Sequence, residues 1–176
     1  FILKKKPKKF IVIEKDNDLA SNIGEIFKNQ LNIIRENKKD LKQVKKKLKE
    51  NLIQRLLIDK KKILQIINSI KAIKKFKDPV NQTLKKWKRP NGLNISKVTT
   101  SMGVITVIYE SRPNVTSDVA ALCFKSGNPV ILKGGSEAHY SNKILSNLFR
   151  KALQKNKVDK NYIQFIDYKN KKVVDF

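Results

Sequence analysis

Residues 103–137 read GVITVIYESRPNVTSDVAALCFKSGNPVILKGGSE, and the order of textures in this stretch decides the fold. The nearly continuous apolar run from Val104 to Tyr109 suits a central strand buried on both faces. The following TSDVAALCFKSG predicts a short helix, capped by Thr116 or Ser117 and stopped by Gly127. NPVIL then forms a second strand that runs into KGGSE. Further on, SEAHYSNKILSNLFRKALQKN carries Ile144, Leu145, Leu148, Phe149 and Leu153 at helical spacing, and YIQFID predicts a third strand. Strand, helix, strand, helix, strand with short connections predicts a parallel βαβαβ sheet with right-handed crossovers. Ligands of such sheets gather beyond the carboxyl ends of the strands. Both unusual stretches, YESRPN and KGGSE, fall at that edge.

Toward the amino terminus, WKRPNGLNISKVTT predicts a Pro-Asn-Gly turn at 90–92 and a β-rich stretch to Thr100. Everything before it reads as helix. From Asp18, the residues Leu19, Ile23, Ile26, Phe27, Leu31 and Ile34 recur at three and four positions. A second stripe, Leu41, Val44, Leu48, Leu52 and Leu56, is broken near residues 49–51. A third, Ile63, Ile66, Ile67, Ile70 and Ile73, starts behind Asp59 as N-cap and ends before Pro79. The fold class is therefore α/β. A lysine-rich helical segment, 1–90, is expected to pack on a partial nucleotide-binding unit, 91–176.

The chain has 176 residues and a net charge of +25, which first raises nucleic acid as a partner. The distribution argues against that role, because 27 of the 40 basic residues lie in the first 90 positions and only five are arginine. Lysine runs of this kind are usually a solvated face. One cysteine, Cys123, excludes an internal disulfide framework and fits a reducing, cytoplasmic setting. No run is long enough for a membrane helix, and the opening stretch has no secretory-signal pattern. The chain also lacks an initial methionine, which raises the expectation of a piece of something longer.

At the second strand end, Gly134 and Gly135 permit close approach, and Ser136 is expected to open the next helix with free N–H groups. Together with the Lys133 ammonium, this is a candidate site for negatively charged oxygen. The alternative is a tight turn with a snorkelling lysine, and neither standard glycine-rich nucleotide fingerprint is present. At the first strand end, Arg112 precedes Pro113 and is biased to extended geometry, while the Asn114 amide suits an oxyanion. A local Asn turn is the plainer reading of Asn114. Cys123 lies on the helix face of Val119 and Ala120 and reads as packed core. His139 reads as a partly exposed bystander, and no cluster has metal-ligand spacing.

The segments GVITVIYESRPNVTSDVAALC and KSGNPVILKGGSEA resemble, almost residue by residue, the gamma-glutamyl phosphate reductases, or glutamate-5-semialdehyde dehydrogenases, of the aldehyde dehydrogenase superfamily. IQRLLIDKKKILQIINSIKAIKKFKDP is similar to their amino-terminal helices. The likeness runs from about Asn37 onward and implies an amino-terminal part with a partial Rossmann-like sheet. It implies NADPH-dependent reduction of L-glutamyl 5-phosphate to the semialdehyde with phosphate release, in proline biosynthesis, through a cysteine thioester that accepts hydride. By the same resemblance, Lys133, Gly134, Gly135, Ser136 and Glu137 would hold the cofactor ribose and its 2′-phosphate. Asn114 would stabilise the oxyanion, and Arg112 would meet substrate carboxylate or phosphate. A homo-oligomer, and cooperation with glutamate 5-kinase, are implied for the whole family member. The family's nucleophilic cysteine belongs to a later domain, and Cys123 matches a helix position instead. This chain alone is therefore expected to bind NADPH poorly and not to turn over. Two other classes compete: a lysine-rich helical module holding nucleic acid electrostatically, and an inactive scaffold fragment.

Overall fold

The computed structural model describes residues 30–45 and 48–169. The helix expected from Asp18 is described from Gln30 onward, and its earlier part lies outside the described residues. Among the described residues three helices come first: α1 (Gln30–Val44), α2 (Glu50–Leu56) and α3 (Lys60–Lys75). Asp59 caps α3 as expected, its carboxylate accepting from the Lys62 amide at 2.7 Å. The isoleucine stripe of α3 faces inward, with Ile63, Ile66, Ile70 and Ile73 all buried.

A hairpin follows, β1 (Thr83–Lys88) paired antiparallel with β2 (Asn94–Val98). Its turn closes through the Arg89 amide, which donates to the Leu93 carbonyl at 2.9 Å, and Gly92 takes a φ of +89°. The strand β1 is exposed at every position, in a stretch that read as the end of the helical segment.

The second sheet contains β3 (Ile105–Tyr109), β4 (Val130–Gly134) and β5 (Ile163–Phe165), all parallel, in that order. The crossovers are α4 (Pro113–Lys125) and α5 (His139–Lys155), the latter preceded by a 3-10 turn, Ser136–Ala138. With the strands in sequential order, crossovers of the same hand place α4 and α5 on one face of the sheet. There Val130, Leu132 and Ile163 meet Ala120, Phe124, Leu145 and Phe149 in a buried core. Ile33 of α1 and the isoleucines of α3 belong to the same core, so the helices before the hairpin and the sheet after it are packed as one body.

Two expectations need correction. In this sheet β4, not β3, is the middle strand, and β3 alternates between half-buried and exposed residues. Ile105, Val107 and Tyr109 pack on the core, whereas Val104 and Ile108 are 67% and 60% exposed. An apolar run reports burial potential and cannot say which neighbour supplies the cover. The helix α4 also starts earlier than its supposed caps. Pro113 occupies the first helical turn, Arg112 is the N-cap without a side-chain cap bond, and Thr116 and Ser117 are buried inside the helix. Its stop at Gly127 holds: φ is +69°, and the Gly127 and Asn128 amides donate back to Phe124 and Cys123.

Candidate functional site

The carboxyl ends of β3 and β4 open into a cavity of about 600 Å³. Residues 108–112 and 133–137 form one side of it, and Leu48, Leu52, Arg55 and Leu56 on and beside α2 form the other. The register that pairs Ile108 with Lys133, and Tyr109 with Gly134, brings the two strand ends level. Side chains alternate across a strand, so Lys133 points away from the α4–α5 face that Leu132 and Gly134 share.

Lys133 is 7% exposed, yet its ammonium has one hydrogen bond, to the adjacent Gly134 carbonyl at 3.4 Å. No carboxylate pairs with it among the described residues. A buried cation without an anion is costly, so a site of this kind is completed by an anionic or hydroxyl-rich ligand. Among the described residues, the other cavity cations are Arg55, Arg112 and Lys169, against the carboxylates of Glu110 and Glu137. Arg112 is paired with Glu110 at 3.2 Å, and Glu137 accepts a short hydrogen bond from the Ser111 hydroxyl. The cavity thus keeps a net positive charge.

The two glycines are explained by crowding from the protein itself. A Cβ on Gly134 would sit 2.2 Å from Asn142 Nδ2 and 2.9 Å from the Tyr109 ring. One on Gly135 would sit 2.1 Å from Ser111 Oγ. Behind the turn, the Tyr109 and Thr116 hydroxyls lie 2.8 Å apart, and Thr116 donates to Asn142 Oδ1 at 2.9 Å. Burial pushes the Tyr109 phenol up to about 12, so near neutral pH it stays protonated and structural.

Ser136 does not open the long helix with free N–H groups. It begins the 3-10 turn, and the first amides of α5, those of Tyr140 and Ser141, donate to the Asp40 carboxylate at 2.9 and 2.8 Å. The Ser141 hydroxyl adds a third bond at 2.6 Å. Asp40 is 1% exposed, and burial pushes its carboxyl above the usual range against the pull of these three donors. The positive end of α5 is therefore already neutralised by an anion of α1. Beside it, Asn37 donates to the Leu56 carbonyl at 2.7 Å and to Ser141 Oγ at 3.0 Å, and accepts from the Ile58 amide at 2.9 Å. These bonds tie the end of α2 to the start of α5.

Of the residues singled out from the sequence, Arg112, Lys133, Gly134, Gly135, Ser136 and Glu137 share this cavity. Asn114 does not. It lies in the first turn of α4 and borders a separate small cleft with Lys62, Gln65, Ser69 and Asp118. Cys123 is buried on α4, with its thiol pushed up by burial, and borders neither. His139 is buried, at 8% exposure, rather than a partly exposed bystander. Its Nε2 lies 3.0 Å from an Asp167 carboxylate oxygen, and burial holds its pKa below the ordinary value against the attraction of that carboxylate. Sequence reasoning missed α2 as a wall of the cavity: Leu48 and Leu52 continue the stripe of Leu41 and Val44, which hides that Leu52 remains 37% exposed.

No protein-family model matches the chain. Curated relatives do. A gamma-glutamyl phosphate reductase of Petrotoga mobilis is 41% identical over 152 residues, 86% of this chain and 36% of the relative. That of Nautilia profundicola is 49% identical over 138 residues, 77% of this chain and 34% of the relative. The crystal structure of the Thermotoga maritima gamma-glutamyl phosphate reductase superposes with a TM-score of 0.85 at 32% identity, over 95% of this chain and 44% of that one. The chain belongs to the gamma-glutamyl phosphate reductase family. A propionaldehyde dehydrogenase of Rhodopseudomonas palustris, at 12% identity and TM-score 0.59, shares the fold alone. The chain thus spans well under half the length of the gamma-glutamyl phosphate reductases it matches.

Proposed function

We propose that this chain forms part of an NADPH-dependent reductase that converts L-glutamyl 5-phosphate to L-glutamate 5-semialdehyde, and that its share of the work is to hold the cofactor. The carrying observation is the buried Lys133 ammonium, which has no carboxylate partner among the described residues and lines a cavity at the carboxyl edge of a parallel sheet. Family membership supports an NAD(P)-dependent oxidoreductase, and the net positive charge of the cavity favours the phosphorylated form of the cofactor.

The donor set fits a ribose and its phosphates. Lys133 offers an ammonium, Glu137 a carboxylate acceptor for sugar hydroxyls, and Ser136 a hydroxyl, while Gly134 and Gly135 keep the turn low. Bound NADPH would supply the hydride. The residues of this chain bind and orient. Arg112, at the rim of the same cavity, would meet substrate carboxylate or phosphate once drawn from Glu110. Asn114 is left without a role in this cavity, because it borders a separate cleft between α3 and α4. Cys123 cannot act as a nucleophile toward this cavity, so acyl transfer depends on a thiol outside these 176 residues.

The test is an amide chemical-shift titration of the chain with NADPH, carried to millimolar concentration. Shifts are expected at the 133–137 turn and at the end of β3. Lys133→Met should weaken binding by about tenfold or more, the effect of losing one charge-assisted hydrogen bond. Equal affinity for Lys133→Met and the unmodified chain would remove the cofactor reading.

A further inference from the structure

The wall of the cavity opposite the glycine turn comes from α2, an element outside the parallel sheet. It contributes one cation, Arg55, and two leucines, Leu48 and Leu52. Its position is set by buried bonds: Leu56 is 1% exposed, and its carbonyl is held by Asn37, which also holds Ser141 at the start of α5. Leu56 and Val44 pack on Ala138, at the end of the 3-10 turn that contains Ser136 and Glu137. The side chain next to Leu56 is therefore presented to the cavity from a fixed backbone.

The cavity cations differ in what they are free to do. Lys133 is at the floor, where a ribose hydroxyl fits and a hydrated dianion would have to shed its water. Arg112 is paired with Glu110, and Lys169 lies 4.6 Å over the Tyr140 ring and 3.4 Å from Gln43. Arg55 is exposed, at the rim, and bonded to no other described residue. A planar fork of five donors is the side chain best suited to a terminal phosphate. Leu52 beside it offers an apolar surface of the kind that takes a flat heteroaromatic ring.

We infer that Arg55 is the residue by which this cavity distinguishes a dinucleotide carrying a 2′-phosphate from one lacking it, with Leu52 covering the adenine ring. The inference rests on the cofactor reading above and adds the specificity determinant.

The experiment compares NADPH and NADH binding to the full chain by the same amide titration. Arg55→Ala should weaken NADPH by about 10- to 100-fold and leave NADH within about twofold. Arg55→Lys should recover part of the loss. Leu52→Ser should weaken both nucleotides alike, by about threefold to tenfold. An equal loss of both nucleotides in Arg55→Ala, or no loss of either, overturns the assignment. Lys133→Met separates the two failures: if it weakens both nucleotides while Arg55→Ala changes neither, the cofactor reading stands and Arg55 falls. Absence of any binding by the unmodified chain at millimolar nucleotide overturns both.

Discussion

At Gly134 the protein has no room for a side chain. The amide of Asn142 and the ring of Tyr109 fill the volume a Cβ would need, although the backbone dihedrals of the turn suit other residues. Gly134→Ala should therefore destabilise the chain by about 1–3 kcal/mol through overpacking, measured as a lowered urea midpoint with unchanged slope. A midpoint equal to the parent's would show that Asn142 can move aside without cost. That the two glycines mark a close approach was legible in the sequence. Which atoms approach was not, because Ser111 and Asn142 reach them through tertiary packing. Lys133 was legible for a related reason: a lysine at the end of an apolar strand stands out against its neighbours, whereas Arg55, among exposed lysines and leucines of a helix, does not.

Elements with a strong period were read well, and those set by long-range partners were not. The helix α3 has a cap, a four-isoleucine stripe and a proline beyond its end, all local signals that agree with one another. The first hairpin strand, TLKKWK, has lysines on both faces and every position exposed, so no alternation marked it. The start of α4 was misplaced because Pro113 in the first turn outweighs the capping preference of Thr116. The partner of α5 was out of reach altogether, since Asp40 lies about a hundred positions earlier. Asp40→Ala should remove three bonds and leave buried amides unsatisfied, at a cost on the order of 2 kcal/mol or more by chemical denaturation. Because the fold raises the Asp40 carboxyl, the folded chain holds that proton more tightly than the unfolded one. The parent should then gain stability relative to Asp40→Ala as pH falls from neutral toward about 4. A difference that narrows on acidification would contradict the burial argument.

Across the whole molecule, positive charge is abundant, and a helix start would ordinarily let backbone dipoles share the work of holding a phosphate. Here α1 has already spent that resource on α5 through Asp40. An anion at the mouth of the cleft, above the buried Lys133, is met by exposed side-chain cations such as Arg55 and Lys169, whose attraction fades as dissolved ions crowd around them. Affinity for NADPH should accordingly fall several-fold between about 0.05 M and about 0.5 M sodium chloride, with NADH affected much less. Titrations in the two media that gave the same NADPH affinity would mean that the grip is made of something other than exposed charge. The cleft is in this sense tuned by its medium: internal self-neutralisation at one helix leaves recognition at its neighbour to the ionic composition of the surroundings.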